Sequence, residues 1–575
     1  MSKITVAGLL VETLALAGVK RVYGVAGDSL NGITDSIRKR DDIRWVSVRH
    51  EETAAFAAGA EAHLTGRVAV CAGSCGPGNL HLINGLYDAH RSRVPVLAIA
   101  AHIPSREIGS GYFQETHPEQ LFREGSHFCE LVSHPAQMPR LLEIAVQTAL
   151  SRRGVSVLVI PGDIALQPAV VNHPRLRLAA VSPMVRPSDD EIGRLADLLN
   201  GARKITILGG AGCADAHDQL MDLAGKLQAP IVHTMRGKEF IEYDNPFDVG
   251  MTGLLGFASG YYAMMNCETL LMLGTDFPYQ QFFPEQATIV QIDIRGEQLG
   301  RRTKVDVGLV GDVKATLTAL SPRVKQKRDA GHLQEALQHY QKARQGLDDL
   351  ASGEPGRKPI HPQYVARVLN EVAAEDAIFS CDVGTPTLWA ARYLTLNGKR
   401  RLLGSFTHGS MANALPQAIG AQLSHPDRQV ITLSGDGGLG MLMGDLLSLR
   451  HLQAPVKLVV FRNDALGFVE LEMKAAGFLD FATDLHNPDF AKMAEAAGLL
   501  GLTAEVPEQV RPTLLQALNH DGPALVEVLV NRQELAMPPS IELDQVIGFS
   551  LYMIKAVLNG RGDEIIDLAT TNVFR

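Results

Sequence analysis

The stretch VITLSGDGGLGMLMGDLLSLRHLQAPVKLVVFRND, residues 430–464, decides the fold of the chain. Two β-branched, apolar runs flank a glycine turn and a helical stretch predicted over about 440–452. Apolar runs that alternate with helices predict parallel strands covered on both faces. Asp436 follows the first strand and Asn463 follows the second. Both are therefore expected at neighbouring strand ends, where ligands bind in such sheets.

The same alternation of strand and helix recurs along the chain. Further predicted strands are 67–73, 94–101, 155–163, 205–210, 269–274 and 289–294. Proline-rich or polar segments at about 168–192 and 322–362 separate three blocks of similar size, so we predict an α/β fold with three doubly wound parallel-sheet domains. The predicted domains are 1–182, 183–335 and 336–530, followed by an amphipathic C-terminal tail at 531–575.

The composition excludes several classes of protein. The 575 residues are 46% hydrophobic and 20% charged, which is typical of a globular protein with a large core. The formal net charge of −9 argues against a nucleic-acid partner. The six cysteines are scattered without metal-binding spacing, and the N-terminal stretch lacks a signal-peptide pattern, so a cytoplasmic location is expected.

The glycine turn predicts a metal site. A carboxylate beside a phosphate group is repelled unless a divalent cation lies between them, and Mg²⁺ prefers oxygen ligands shared with phosphates. Asp436, the side-chain oxygen of Asn463 and the backbone carbonyl of Ala465 would supply such ligands. An Asp-Gly turn or a turn Asn alone is ordinary, but the two together at adjacent strand ends favour a ligand site.

This Gly-Asp-Gly…Asn pattern resembles the signature of the thiamine diphosphate enzymes. The similarity extends along the whole chain to the quinone-dependent pyruvate dehydrogenases of bacteria, flavoproteins that are also called pyruvate oxidases. The stretches that carry it are 49–62, 70–91, 103–118, 381–394, 408–422 and 548–564. One departure is Asn463-Asp464, where that family usually has Asn-Asn.

The resemblance implies thiamine diphosphate, FAD and Mg²⁺ as cofactors. Glu51, which alone would be read as a charge at a helix start, is then the carboxyl group that activates thiamine diphosphate. Phe113 and Gln114 would lie near the substrate and Phe468 beside the reacting carbon. The other implied thiamine diphosphate contacts are Gly384, Thr385, Gly409, Ser410, Met411, Asp436, Gly437, Gly438, Asn463, Asp464, Ala465, Leu466, Gly467 and Val469.

The middle block is expected to bind FAD. The glycines of ILGGAGCADA, 207–216, are a weak dinucleotide signal by themselves. The resemblance gives better pointers, and they are Thr252, Gly253, Leu254, Leu255, Thr275, Asp276, Phe277, Pro278, Tyr279 and Asp293. A similar middle domain without flavin occurs in the decarboxylases, so the fold alone does not establish FAD.

The implied reaction is oxidative decarboxylation of pyruvate to acetate and CO₂, with electrons passing through FAD to ubiquinone. The apolar run 549–558 is too short to span a bilayer. Its sequence favours docking on the protein core, and the resemblance implies a tail released to a phospholipid surface, on the cytoplasmic face of the inner membrane. The resemblance also implies a homotetramer with active sites at subunit interfaces.

Three alternatives remain at this stage. One is a phosphate-dependent pyruvate oxidase, and a second is an acetolactate synthase type of carboligase. The third is a non-catalytic nucleotide-binding protein on the same fold. The presence of Glu51, Asp436 and Asn463 together argues against the third, because a protein without the reaction has no need for all of them.

Overall fold

The computed structural model describes residues 4–170, 184–534, 551–553 and 555. It contains three sheets of six strands each, and every strand pairing in them is parallel. Helices cover the sheets, and the strand interiors are buried on both faces. The predicted α/β fold with three doubly wound parallel sheets is therefore confirmed.

The first domain is built on the strand order β2-β1-β3-β4-β6-β5. Its strands are β1 Arg21–Gly24, β2 Arg44–Ser47, β3 Ala69–Gly73, β4 Val96–His102, β5 Phe128–Leu131 and β6 Val155–Pro161. Its helices are α1 Val6–Leu16, α2 Asn31–Arg38, α3 Glu51–Thr65, α4 Pro77–Arg91, α5 Pro118–Leu121, α6 Met138–Arg152 and α7 Gly162–Leu166. The predicted boundary at 182 and 183 lies outside the described residues.

The middle domain has the strand order β12-β11-β10-β7-β8-β9. Its strands are β7 Ile205–Gly209, β8 Ile231–His233, β9 Asp248–Met251, β10 Thr269–Leu273, β11 Thr288–Asp293 and β12 Val307–Val310. Its helices are α8 Asp189–Gly201, α9 His217–Leu227, α10 Lys238–Ile241, α11 Ala258–Met265 and α12 Val313–Leu320. The long helix α13, Gly331–Leu350, then leads to the third domain.

The third domain has the strand order β14-β13-β15-β16-β18-β17. Its strands are β13 Ile378–Cys381, β14 Arg401–Gly404, β15 Val430–Gly435, β16 Lys457–Arg462, β17 Leu500–Ala504 and β18 Ala524–Leu529. Its helices are α14 Pro362–Val372, α15 Thr385–Tyr393, α16 Ala414–Ser424, α17 Asp436–Leu442, α18 Leu446–Leu452, α19 Gly467–Ala475, α20 Phe490–Ala496 and α21 Pro507–Leu518.

The helix after the glycine turn differs from the prediction of one helix over about 440–452. It begins at Asp436 and is interrupted by a 3₁₀ turn at Met443–Asp445. The carboxylate of Asp445 accepts hydrogen bonds from the backbone N–H of Arg49, 2.9 Å, and from Thr53 Oγ1, 2.7 Å. The interruption thus lets Asp445 join the third domain to the first.

The first and third domains pack closely through α3 and α16. A side chain at Gly420 would collide with the carbonyl oxygen of Ala57, so only glycine allows this approach of the two helices. The fold therefore sets the start of α3 and the loop before α16 beside each other in one chain.

Part of the C-terminal tail docks on the third domain. Tyr552 is fully buried, and its ring lies 5.3 Å from Lys474 Nζ. Lys555 Nζ donates a hydrogen bond to the carbonyl oxygen of Gly477, 2.7 Å. Most of the predicted tail, including Phe549, lies outside the described residues. Across the described residues, we find no helix with the length and apolar character needed to cross a membrane.

Candidate active site

Asp436 lies at the carboxyl edge of the third sheet, where β15 and β16 run side by side in parallel. Its carboxyl group is buried. One oxygen accepts the backbone N–H groups of Asn463, 3.1 Å, and Asp464, 2.7 Å, and the other accepts that of Gly437, 2.9 Å. Burial raises the pKa of Asp436 to about 6, against the lowering effect of these hydrogen bonds.

The oxygen atoms around Asp436 suit Mg²⁺. The carboxylate, the Asn463 amide oxygen and the Ala465 carbonyl are hard ligands of the kind this ion prefers. Asn463 Oδ1 accepts the backbone N–H of Ala465, 3.2 Å, which fixes the direction of the amide. In the described part of the chain, no three or more His, Cys, Asp or Glu side chains gather into a metal-binding group. One carboxylate with neutral oxygens leaves coordination positions for a ligand's phosphate groups.

Asn487 is a neighbour of Asp436 that no sequence pattern indicates. Its Nδ2 donates to Asp436 Oδ2, 2.9 Å, and to Asp464 Oδ1, 3.0 Å. Asp464 also pairs with Arg462 Nε at 2.9 Å, and its side chain is half exposed. The departure from the usual Asn-Asn is therefore accommodated by two partners for the extra carboxylate. No local pattern points to Asn487, because it lies 51 residues after Asp436.

The structure brings Met411, Gly437 and Leu466 together beside Asp436. A Cβ at Gly437 would lie 2.9 Å from Leu466 Cδ2 and 3.4 Å from Met411 Cε. Glycine at this position thus leaves room between the loop before α16 and the loop after β16.

The start of α15 belongs to the same cluster. Gly384 has a φ of +125°, a conformation that favours glycine, and it precedes Thr385 at the start of the helix. A Cβ at Gly467 would lie 2.6 Å from Asn463 Nδ2 and 3.7 Å from Thr385 Cγ2. The loops after β13, β15 and β16 therefore converge at one edge of the sheet.

Asp382, also missed from the sequence, lies under this cluster. It is buried, and a Cβ at Gly438 would lie 2.6 Å from Asp382 Oδ2. Burial raises the pKa of Asp382 to about 7. Its other carboxylate oxygen accepts the backbone N–H of Ala414, 3.0 Å, at the start of α16. Asp382 thus ties the loop that carries Gly409, Ser410 and Met411 to the end of β13.

Glu51 is the first residue of α3 and is buried. Its Oε2 lies 2.9 Å from Nδ1 of His81 on α4, and the ring of His50 stacks on that of His81 with centroids 4.3 Å apart. No sequence pattern indicates His81. The pair holds a carboxyl group at the carboxyl edge of the first sheet, away from bulk water.

Asn84 links the neighbour of Glu51 to the third domain. Its Nδ2 donates to Glu52 Oε1, 2.7 Å, and to Ser410 Oγ, 2.8 Å. Its Oδ1 lies 2.9 Å from His408 Nε2. The loop that holds Met411 is therefore attached to the first domain one residue from Glu51.

The loop of Phe113 and Gln114 packs against the turn after β3. Cys75 Sγ donates to Gln114 Oε1 at 3.3 Å, and a Cβ at Gly76 would lie 2.8 Å from Gln114 Cβ. Gln114 itself has a φ of +62°. Phe113, in contrast, is 78% exposed. Phe468 is partly buried, and Val469 is exposed.

The segments assigned to FAD follow three strands of the middle sheet. Residues 252–255 follow β9, residues 275–279 follow β10, and Asp293 ends β11. Thr252 Oγ1 and Arg295 Nη2 are buried, and neither has a hydrogen-bond partner among the described residues. Buried polar groups normally have a partner, so these two atoms fit a polar ligand such as a ribityl or phosphate group.

The other residues of this region are held by hydrogen bonds, an ion pair and aromatic contacts with neighbouring residues. Asp293 is buried, which raises its pKa, and Oδ1 accepts the backbone N–H of Arg295, 3.0 Å. Asp276 pairs with Arg93 of the first domain at 2.8 Å. Phe277 is buried, and its ring meets that of Tyr279 edge to face. Leu254 and Tyr279 are partly exposed and can line a groove.

The glycine motif after β7 has a packing role in the structure. A Cβ at Gly210 would lie 2.6 Å from the carbonyl oxygen of Gly274, and a Cβ at Gly212 would lie 2.6 Å from Gly274 Cα. These glycines allow the ends of β7 and β10 to touch. The motif is therefore explained without a ligand.

Comparison with known proteins gives a consistent assignment for all three domains. Residues 4–121, 192–320 and 382–528 match models described as the N-terminal TPP binding domain, the central domain and the C-terminal TPP binding domain of thiamine pyrophosphate enzymes. The putative thiamine pyrophosphate-containing protein YdaP of Bacillus subtilis is 36% identical over 96% of each chain.

Two further relatives carry the names of enzymes. A pyruvate oxidase of Lactiplantibacillus plantarum is 30% identical over 93% of this chain and 90% of its own length. An acetolactate synthase of Mycobacterium bovis is 30% identical over 94% of this chain and 90% of its own length. The two names denote different reactions.

Proposed function

Since the chain belongs to the thiamine pyrophosphate enzymes, we propose that it oxidises pyruvate to acetate and CO₂, with FAD as the internal electron acceptor and ubiquinone as the final one. The balanced reaction is pyruvic acid, water and FAD giving acetic acid, CO₂ and FADH₂. The relative named pyruvate oxidase supports the substrate and the oxidation.

The observation that supports FAD in this proposal is a pair of buried atoms in the middle domain that lack partners among the described residues. Thr252 Oγ1 and Arg295 Nη2 lie on or beside the segments assigned to FAD, and both are buried. A buried guanidinium N–H and a hydroxyl group are suited to phosphate and ribityl oxygens. A carboligase reaction needs no electron acceptor, so a filled flavin site with redox turnover would favour the oxidase.

Bound thiamine diphosphate would supply an electron sink for decarboxylation, Mg²⁺ would bridge its phosphates to the protein, and FAD would take up two electrons. Asp436, Asn463 and Ala465 would hold the ion. Glu51 would hold a proton on its buried carboxyl group and set the charge state of the coenzyme's aminopyrimidine. Thr385 and Met411 would fix the orientation of the coenzyme.

Two aromatic residues would shape the substrate pocket. Phe113 and Phe468 offer apolar surface to a methyl group, and the carboxamide of Gln114 offers a donor to a carboxylate. Closure by a second subunit would cover Phe113, which is largely exposed in one chain. We therefore place the active sites at the subunit interfaces of a homotetramer.

The docked part of the tail is the resting state in a proposed membrane role. Tyr552 packs on Lys474 of α19, the helix that begins at Gly467 and carries Phe468. We propose that the tail is released when the flavin is reduced and then binds a phospholipid surface on the cytoplasmic face of the inner membrane. Ubiquinone is lipid-soluble, so this contact would bring the acceptor to the enzyme.

A visible absorption spectrum of the purified protein, before and after anaerobic addition of pyruvate, tests the chemistry. We expect a flavin spectrum that bleaches, with acetate as the product whether or not phosphate is present. Acetyl phosphate formed only with phosphate would indicate the phosphate-dependent oxidase. Acetolactate without bleaching would indicate the synthase reaction. A protein that binds the coenzyme and turns over no keto acid would contradict all three enzymes.

Truncation tests the tail separately. Removing the residues after 551 should abolish flotation with phospholipid vesicles while activity with a soluble electron acceptor is kept. A truncated protein that still floats would refute the membrane role of the tail and leave the pyruvate chemistry standing.

A further inference from the structure

Arg392 joins the third domain to the segment assigned to FAD. It lies on α15, is buried, and donates from Nε to the carbonyl oxygen of Leu255, 3.1 Å, and from Nη2 to that of Gly256, 3.2 Å. Burial lowers the pKa of Arg392 to about 10, so the side chain stays protonated at neutral pH. A charged donor thus holds two backbone carbonyls of another domain in a buried place.

The other end of the same helix lies at the diphosphate region. α15 begins at Thr385, beside Gly467 and Asn463, and ends at Tyr393. Nine helical residues span about 13 Å. One short, straight element therefore connects the two proposed cofactor regions within a single chain.

Apolar packing and a second arginine fix the C-terminal end of α15. Ala391 forms a buried cluster with Met251 and Phe257, which flank the flavin segment. Arg344 of α13 donates from Nη1 to the carbonyl oxygen of Arg392, 2.7 Å. The packing of Ala391 and the hydrogen bond from Arg344 therefore both fix the C-terminal end of α15 relative to the middle domain.

We propose that Arg392 is a positioning residue that holds the flavin segment at a fixed distance from the thiamine diphosphate site through α15. This rests on the proposed function. Without the guanidinium, the carbonyls of Leu255 and Gly256 lose their charged donor, and the turn at Gly253, which has a φ of +97°, loses its support. Flavin affinity and flavin reduction should then suffer, while coenzyme binding and CO₂ release should not.

The test compares Arg392→Met with Arg400→Met. Arg400 is an equally buried arginine that also donates to backbone carbonyls, but its acceptors, such as Ala373 and Ala374, lie in its own domain. The milder Arg392→Lys keeps the charge and serves if the methionine variant folds poorly. The measurements are the FAD dissociation constant from flavin fluorescence, the thiamine diphosphate dissociation constant, and the rates of CO₂ release and flavin bleaching after rapid mixing with pyruvate.

For Arg392→Met we expect about a tenfold weaker affinity for FAD, because two buried carbonyls lose a charged donor. Flavin bleaching should slow by about tenfold or more, because small misplacements of reacting groups are costly. Coenzyme affinity and the rate of CO₂ release should stay within about twofold of the wild type. Arg392→Lys should have FAD affinity and bleaching rates between those of the wild type and Arg392→Met. Arg400→Met should lower only the thermal midpoint.

The failure of this inference can be separated from the failure of the proposed function. If the wild type binds FAD and bleaches with pyruvate, but Arg392→Met does both equally well, the positioning role is refuted and the reaction stands. If the wild type binds FAD but pyruvate does not bleach it, the proposed reaction fails, and the FAD affinity of the variants still decides the role of Arg392. Equal loss of FAD and thiamine diphosphate affinity would also refute it.

Discussion

The proposed diphosphate region of the third domain, around Asp436, and the proposed flavin region of the middle domain, residues 252–255, 275–279 and Asp293, lie at the carboxyl edges of similar sheets, yet they are built differently. Around Asp436, adjacent strands β15 and β16 supply the residues, and backbone N–H groups already satisfy the carboxylate. The flavin segments follow β9, β10 and β11, and β9 lies at the far edge of its sheet. Thr252 Oγ1 and Arg295 Nη2 lack partners there among the described residues, and so do Asn413 Oδ1 and Thr483 Oγ1 near Met411 and Leu466.

Under the proposed function, we expect the carboxylate site around Asp436 to be formed before a ligand binds, and Thr252 Oγ1 and Arg295 Nη2 to gain partners from bound FAD. A substitution in the diphosphate region should disturb the coenzyme and leave FAD alone. A substitution at an unpartnered atom of the flavin region should weaken FAD without destabilising the ligand-free protein. Opposite effects of this kind would confirm that the two regions are separate.

Glu51→Gln should have the largest effect. The amide keeps the shape of the side chain but cannot take up or release the proton, so turnover with pyruvate should fall by about 10²–10⁴-fold. Affinity for thiamine diphosphate and FAD should change little. Steady-state kinetics with a soluble acceptor measures the loss. Glu52→Gln is the control. Glu52 lies in the same helical turn as Glu51, and its carboxylate accepts a hydrogen bond from Asn84. Full activity of Glu51→Gln would exclude the proposed role.

Asp436→Asn should come next, with coenzyme affinity in the presence of Mg²⁺ reduced by about 100-fold. Even partners that only contact a metal ligand are commonly worth 10–100-fold, so a direct charged ligand should reach at least the upper end of this range. Titration calorimetry with the coenzyme measures it, and chelation of Mg²⁺ should mimic it in the wild type. Asp464→Asn is the matched control, since its carboxylate pairs with Arg462 and is half exposed. Loss of FAD in Asp436→Asn would contradict the separation of the regions.

The diphosphate region was the easier one to predict from the sequence, for a physical reason. Asp436 and Asn463 each follow a recognisable strand, and neighbouring parallel strands place them together. Asn487 and His81 join the site through long-range hydrogen bonds that leave no local pattern. The interruption of the helix at Asp445 likewise depends on Arg49, which is 396 residues away.

The flavin region shows the opposite case. Its segments come from strands that are not all neighbours, so no spacing predicts them, and only the resemblance to a family pointed to them. The glycine motif that did look like a dinucleotide signal packs against Gly274 instead. The contacts of Arg392 with Leu255 and Gly256 span 136–137 residues and were not predictable from sequence.

Thr252→Val should have a smaller effect, and one that is confined to FAD affinity. The variant removes a buried hydroxyl group that has no partner among the described residues. FAD affinity should therefore fall by about tenfold, and the flavin-free protein should be as stable as the wild type or more stable. Flavin fluorescence and thermal unfolding measure the two quantities. Thr206→Val is the control in the same domain, because Thr206 Oγ1 donates to the Ala263 carbonyl at 2.7 Å. That variant should lose stability by about 1 kcal/mol. Lower stability of flavin-free Thr252→Val would contradict the idea of a ligand-completed site.

Asp88→Asn should have the smallest effect on turnover and cofactor affinity, because it should leave both cofactor regions unchanged. Asp88 joins the first domain to the third by accepting hydrogen bonds from Ser405 Oγ, 2.7 Å, and Gln417 Nε2, 3.3 Å. Burial raises its pKa to about 6, whereas an unfolded Asp has a pKa of about 3.9. The folded protein therefore binds the proton more tightly, and the stability from Asp88 is present below about pH 4 and lost as the pH rises through about 6.

The neutral Asn removes this dependence and keeps one acceptor for Ser405. At pH 8 the variant should be more stable than the wild type by about 1–3 kcal/mol, and the difference should shrink towards pH 4. Thermal midpoints between pH 4 and 8 measure it. Asp42→Asn is the control, because pairing with Arg40 lowers the pKa of that exposed carboxyl group and should leave no slope between pH 5 and 8. If Asp88→Asn instead changed the affinity for FAD or for the coenzyme, the contact between the first and third domains would belong to the cofactor regions, and their separation would fail.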